Sequence, residues 1–133
     1  MDMKLELVGV PVTDVDRAKA FYVDQVGFNA DHDHVVSDTL RFVQLTPPGS
    51  GCSITIGTGI TDAEPGSVRG IQITVDDIDD ARAHLIANGV DAGPVQHFSD
   101  GVWSAGKGGP WNSFVRFSDP DGNGWVLQER PSA

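Results

Sequence analysis

Leu7-Val8-Gly9-Val10-Pro11-Val12-Thr13-Asp14-Val15-Asp16-Arg17-Ala18-Lys19-Ala20-Phe21-Tyr22 has a counterpart beginning at Gly70 and running to Leu85. In that alignment Val12 falls on Val75, Asp14 on Asp77, Val15 on Ile78, Asp16 on Asp79, Ala18 on Ala81, Lys19 on Arg82 and Ala20 on Ala83. Each copy reads as an alternating strand, a short acidic turn and a helix. A second pair of segments matches in the same order: Phe42-Val43-Gln44-Leu45-Thr46-Pro47-Pro48-Gly49 and Phe114-Val115-Arg116-Phe117-Ser118-Asp119-Pro120-Asp121-Gly122. With one gap, Gly49-Ser50-Gly51 lies on Gly122-Asn123-Gly124, and Ser53 on Val126. Two separate matches in one order mark a duplicated module.

The first copy predicts a strand over Leu5–Val12, with Val8, Val10 and Val12 on one face and Leu7, Gly9 and Pro11 on the other. Thr13 or Asp14 caps a helix running to about Val26, and Gly27 supplies its left-handed end. Strands follow near Asn29–Val36, Thr39–Thr46 and Ser53–Thr58, with Pro47-Pro48-Gly49 as a turn. The second copy predicts a strand at Ile71–Val75, a helix from Ile78 to Asn88 ended by Gly89, and a last strand at Trp125–Glu129. Alternation puts Val43, Leu45, Ile54, Ile56, Ile73, Val115 and Phe117 under the helices. Three strands after each helix give an α+β fold of two βαβββ modules, about 4–59 and 69–130, within a single domain over residues 1–133. The Gly- and aromatic-rich stretch 92–112 stays open between a loop covering a site, a poorly ordered insertion, and a hairpin with an apolar patch at a subunit contact.

Of the 133 residues, 19 are acidic and 9 are Lys or Arg, for a net charge of −10. That balance argues against nucleic acid, whose phosphates need a basic surface, and it attracts cationic ligands at long range. No apolar run reaches the roughly 18 residues of a membrane span. The lone Cys52 forms no internal disulfide and suits a reducing cytoplasm. The opening Met1-Asp2-Met3-Lys4 lacks the pattern of a secretory signal.

Val8–Tyr22 with Val26-Gly27-Phe28, Val75-Asp76-Asp77-Ile78-Asp79-Asp80-Ala81, and Phe117-Ser118-Asp119-Pro120-Asp121-Gly122-Asn123-Gly124 resemble the signatures of the vicinal-oxygen-chelate superfamily. That superfamily includes glyoxalases, bleomycin-resistance proteins, fosfomycin-resistance enzymes and extradiol dioxygenases. The resemblance spans about Lys4 to Arg130 and implies a glyoxalase-like cup formed by the two modules, often completed by a homodimer. It does not imply one activity, since the scaffold hosts lyases, isomerases, dioxygenases and binders. Metal-using members carry His, Gln or Glu in the first and last strand of each module. Carried over, those positions are Leu7, Ser53, Gly70 and Val126, which cannot grip a divalent ion, so no metal or other cofactor is expected.

Other candidates have plain structural readings. His32-Asp33-His34 fits a solvated acidic strand better than a chelate, His84 lies on a helix, and Cys52 reads as a small buried residue. Asp119 and Asp121 fall in a Pro-Gly turn, where Asp bonds its own backbone. His97 is the one histidine expected near the pocket mouth. By alternation the inner face of the cup includes Leu7, Phe42, Gln44, Ser53, Gln72, Phe114, Arg116, Val126 and Gln128, and loop residues Trp103 and Trp111 join them as ligand contacts. Arg116 suits either an anionic or carbonyl oxygen of a ligand or a buried acid of the protein. An apolar wall with a few polar groups suits a small organic molecule. The expected function is therefore metal-independent binding of an aromatic or drug-like ligand, in the manner of bleomycin-resistance proteins. The alternative is a glyoxalase-like lyase or isomerase, or a dioxygenase-type enzyme, with His97 or Arg116 taking part.

Overall fold

The structure, a computed structural model, describes residues 1–132. It divides into two compact units, residues 1–68 with 119–123, and residues 69–118 with the segment from 124 onward.

In the first unit, β1 (Leu7–Gly9), α1 (Val15–Ala20), β2 (Asn29–Ser37), β3 (Leu40–Thr46) and β4 (Ser53–Thr58) follow one another. The strands form one sheet in the order β1-β4-β3-β2, with β1 parallel to β4 and the other pairs antiparallel. The first strand is shorter than Leu5–Val12. Val10 N–H still donates to the Thr55 carbonyl (2.9 Å), but Pro11 has no N–H with which to continue the ladder. Asp14 caps α1, its carboxylate accepting from the Arg17 backbone N–H at 3.0 Å. The expected single helix changes character at Phe21. Phe21–Val26 is a π-helical stretch, and Gly27 (φ +101°) closes it by donating to the Tyr22 carbonyl five residues back. Val10, Ala18, Tyr22, Val43, Leu45, Ile54 and Ile56 form the buried layer between helix and sheet.

The second unit contains β5 (Ile71–Val75), α2 (Ile78–Ala87), β6 (Gln96–Ser99), β7 (Val102–Ala105), β8 (Phe114–Ser118) and β9 (Gly124–Glu129). Its sheet runs β5-β9-β8-β6-β7, with β5 parallel to β9. Asp77 caps α2 just as Asp14 caps α1, accepting from the Asp80 N–H at 3.0 Å, and Gly89 (φ +83°) follows its end. Four strands, not three, follow this helix. Of the readings open for 92–112, the hairpin is the one realised: β6 and β7 pair antiparallel around Asp100 (φ 52°) and Gly101 (φ 80°). Two successive positive φ values give the tight turn whose twist matches the strands it joins. Ile78, Leu85, Val115, Phe117, Trp125 and Leu127 are buried on the helix side, and the cross-strand pair Phe117–Trp125 stacks at 6.0 Å.

Candidate functional site

Each sheet has one face under its helix and one face without a helix. In the first unit the open face carries Leu7 and Ser53, which are register partners, and Gln44 and Phe42, paired with Thr55 and Gly57. The Ser53 hydroxyl is buried and already engaged, accepting from Gln44 Nε2 (3.1 Å) and bonded to Thr46 Oγ1 (2.7 Å), which in turn donates to the Asp31 carboxylate. Ser53 therefore braces this face and has little hydroxyl capacity left for a ligand. His32 and His34 also belong here, opposite Gln44 and Phe42, with His34 5.1 Å from the Phe42 ring and the two imidazoles stacked at 5.9 Å. The strand is exposed throughout, as the solvated-strand reading expects. A bulge at Asp31, between the pairs Ala30–Leu45 and His32–Gln44, sets which residues of β2 face outward.

The register also moves one of the four ligand positions. Gln44 and Arg116 are counterparts in the repeat, and the structure pairs Gln44 with Thr55 and Arg116 with Val126. The parallel pairs agree, since Leu7 stands opposite Ser53 and Gln72 opposite Val126, with Gly70 N–H donating to the Gly124 carbonyl. Thr55, not Ser53, is the counterpart of Val126. The corrected set is Leu7, Thr55, Gly70 and Val126, and none of these supplies a carboxylate, imidazole or carboxamide. These residues do not fit a divalent ion of the family type. Among the described residues, no group of three or more His, Cys, Asp or Glu side chains gathers as a metal site.

The open face of the second unit is aromatic. Phe98 and Trp103 are cross-strand partners in the hairpin with rings 5.3 Å apart, and Trp103 meets Phe114 edge-on at 5.4 Å. The Arg116 guanidinium lies 4.2 Å above the Trp103 ring, and its Nη1 donates to Gln96 Oε1 at 3.3 Å. Trp103 and Phe98 remain 45% and 47% exposed, an uncovered apolar patch. Beside them Gln72 Nε2 donates to Gln128 Oε1 (2.6 Å), and Gln128 Nε2 donates to the Trp111 carbonyl (2.8 Å). Trp111 is exposed, with φ +63°. Asn112 fixes the hairpin to this edge by accepting from the Phe98 N–H (2.9 Å) and donating to the Phe98 carbonyl (2.8 Å).

Other candidates fall away from these faces. His97 alternates with Gln96 and Phe98, so it points to the opposite side of the hairpin, where its Nδ1 bonds the Gly106 carbonyl (2.9 Å). Cys52 is half-buried, not buried. Asp119 is buried and accepts from Tyr22 Oη (2.8 Å), from Asn123 Nδ2 (2.8 Å), and from the Asp121 and Asn123 backbone N–H groups (2.9 Å each). Such a carboxylate holds a turn and offers nothing to a substrate. A groove of about 330 Å³ opens past the ends of β1 and β4, lined by residues such as Thr13, Gly59, Thr61, Asp62 and Glu64. Its lining holds no aromatic or cationic side chain.

Comparison with known proteins now decides the family. The pattern of the Glyoxalase/Bleomycin resistance protein/Dioxygenase superfamily matches residues 4–127. The chain belongs to this superfamily. Among solved structures it is similar to TnmS3, an antibiotic binding protein from Streptomyces sp. CB03234, at 34% identity over 97% of each chain and a TM-score of 0.78. A glyoxalase/bleomycin resistance protein from the same Streptomyces is 35% identical over 94% of this chain and 99% of its own, with a TM-score of 0.75. A superfamily member from Sphaerobacter thermophilus DSM 20745 is 29% identical over 97% and 98%, with a TM-score of 0.78. No helix is long and apolar enough to cross a membrane among the described residues.

Proposed function

We propose that this superfamily member is a metal-independent binding protein that holds an aromatic or drug-like small molecule against the open faces of its sheets. The donor chemistry carries the reading: on the family resemblance and the strand register, the ligand positions fall on Leu7, Thr55, Gly70 and Val126, none of which supplies a carboxylate, imidazole or carboxamide. The exposed rings of Phe98 and Trp103 and the half-buried ring of Phe114 support an aromatic ligand, since each ring pair contributes about 0.5–1.5 kcal/mol beyond burial. Similarity to an antibiotic binding protein supports drug-like chemistry. The reading extends to one glyoxalase-like domain over residues 1–133 that pairs as a homodimer, on the family resemblance. It also places the protein in the cytoplasm, which the lone Cys52 supports.

The test combines metal analysis with a thermal-shift screen against aromatic antibiotics. The purified protein is expected to hold no stoichiometric Zn, Ni, Mn or Fe. A hit should raise Tm equally with and without EDTA and be recovered unchanged by mass spectrometry. Trp103 is 45% exposed, so Trp103→Ala should fold with an ordinary Tm and lose the ligand-induced shift. A stoichiometric metal needed for binding would overturn metal independence, and turnover of the hit would establish the enzyme reading instead.

A further inference from the structure

Arg116 differs from five of the other cations of this acidic chain, each of which faces a carboxylate. Arg17, Arg41 and Arg130 each face an aspartate, as Lys19 does, and Lys107 faces Glu129. Arg116 meets no carboxylate among the described residues. Its contacts are Gln96, a neutral acceptor reached by Nη1 at 3.3 Å, and the face of Trp103 at 4.2 Å. Contact with the indole face holds the guanidinium in place without neutralising it. Nε and Nη2 are left as donors, on the same face as the exposed rings of Phe98 and Trp103 and the half-buried ring of Phe114. With 19 acidic residues to 9 Lys and Arg, an arginine without an acid is not for want of acids.

We infer that this face is a subsite for a planar aromatic group bearing an anionic oxygen, a carboxylate or phenolate, with the ring against Phe98, Trp103 and Phe114 and the oxygen on Arg116. This rests on the binding reading above and narrows it, because overall charge alone would favour cationic ligands. Long-range repulsion from the chain's net charge is screened over about 8–10 Å in physiological salt. A charge-assisted contact with a pre-aligned guanidinium acts at hydrogen-bond distance, and so it sets the preference.

Three probes sharing one ring system test this: anthracene-2-carboxylate, anthracene-2-carboxamide and anthracen-2-ylmethylammonium, titrated into the intact protein by calorimetry. The carboxylate should bind about 10-fold more tightly than the carboxamide, and the ammonium most weakly. Arg116→Gln should lower carboxylate affinity more than carboxamide affinity and so remove the carboxylate's advantage. Trp103→Leu should weaken all three. Because Arg116 is exposed, its replacement leaves the core intact, and raised salt on the unaltered protein gives a second readout by cutting the carboxylate's advantage. If the carboxamide binds but the carboxylate is no better, or Arg116→Gln leaves the advantage in place, the anionic subsite fails while aromatic binding stands. If none of the three binds, the aromatic-ligand reading and the subsite fail together.

Discussion

Two aspartates show how single residues hold the first unit in shape. Asp119 gathers the Tyr22 hydroxyl, the Asn123 carboxamide and two backbone N–H groups around one buried carboxylate. Removing that acceptor costs more than the bonds themselves, since buried donors are left without it. Asp119→Ala is expected to destabilise by about 3 kcal/mol or more in denaturant melts, and Tyr22→Phe, which deletes one donor, by about 1–2 kcal/mol. Asp33 works differently, on the surface of β2. Arg41 reaches it through Nε (3.0 Å) and Nη2 (2.9 Å), and Lys19 Nζ lies at 2.9 Å. Arg41 first, then Lys19, hold its carboxyl well below the usual carboxylate range. A carboxyl depressed in the folded state stabilises fully above its unfolded pKa, and that contribution fades as pH falls toward the folded value. Asp33→Asn should therefore flatten the fall of stability between about pH 5 and pH 2, measured by urea melts at stepped pH. An unchanged slope would mean the ion pairs contribute nothing.

At the scale of elements, the β6–β7 hairpin is held by Asp100 and Gly101, both in the left-handed region, and by the Asn112 clamp on Phe98. Gly101→Val places a β-branched side chain at φ +80° and should cost about 1–2 kcal/mol or more. Amide exchange over 96–105 should speed up while β5 and β9 stay protected. Asp100→Asn should be neutral, because Asn adopts the same conformation readily. This hairpin was within reach of the sequence. Asp-Gly at 100–101 is a strong two-residue turn signal, but its flanking strands are four residues each and buried among glycines at 93, 101, 106, 108 and 109. Elements with regular alternation and defined ends were legible: both helix caps, and the glycines at 27 and 89, follow from local chemistry alone. The candidate site was legible only by face. Reading Ser53 for Thr55 misses by two residues, which keeps the face and changes the position, because nothing in a glycine-rich turn fixes the length of a gap. The bulge at Asp31 reverses the alternation of β2 and has no signature in Asp31-His32-Asp33-His34, so the outward turn of His32 and His34 could not be read.

For the molecule as a whole, the duplication does not divide the chain into two self-sufficient pieces. The first unit needs residues 119–123, encoded 51 positions after its main segment ends at Val68. From that turn Asn123 Nδ2 donates to the Pro11 carbonyl (2.8 Å), Asn123 Oδ1 accepts from the Val68 N–H (3.2 Å), and Asp121 Oδ1 accepts from Thr13 Oγ1 (2.6 Å). Together with the Tyr22–Asp119 bond, these tie the segment after β1, the π-helical stretch and Val68 to a distant segment of the chain. A fragment of residues 1–68 loses every one of these contacts and uncovers the buried Tyr22, although it keeps the whole β1-β4-β3-β2 sheet. Small domains have only about 5–15 kcal/mol in hand, and a fragment this size buries too little surface to absorb several lost buried bonds. The fragment should therefore show no cooperative melt by circular dichroism, whereas the intact chain melts cooperatively. Adding residues 119–123 through a flexible linker after Val68 should restore part of the transition. A fragment 1–68 that melts sharply on its own would show that the turn decorates the first unit and does not complete it.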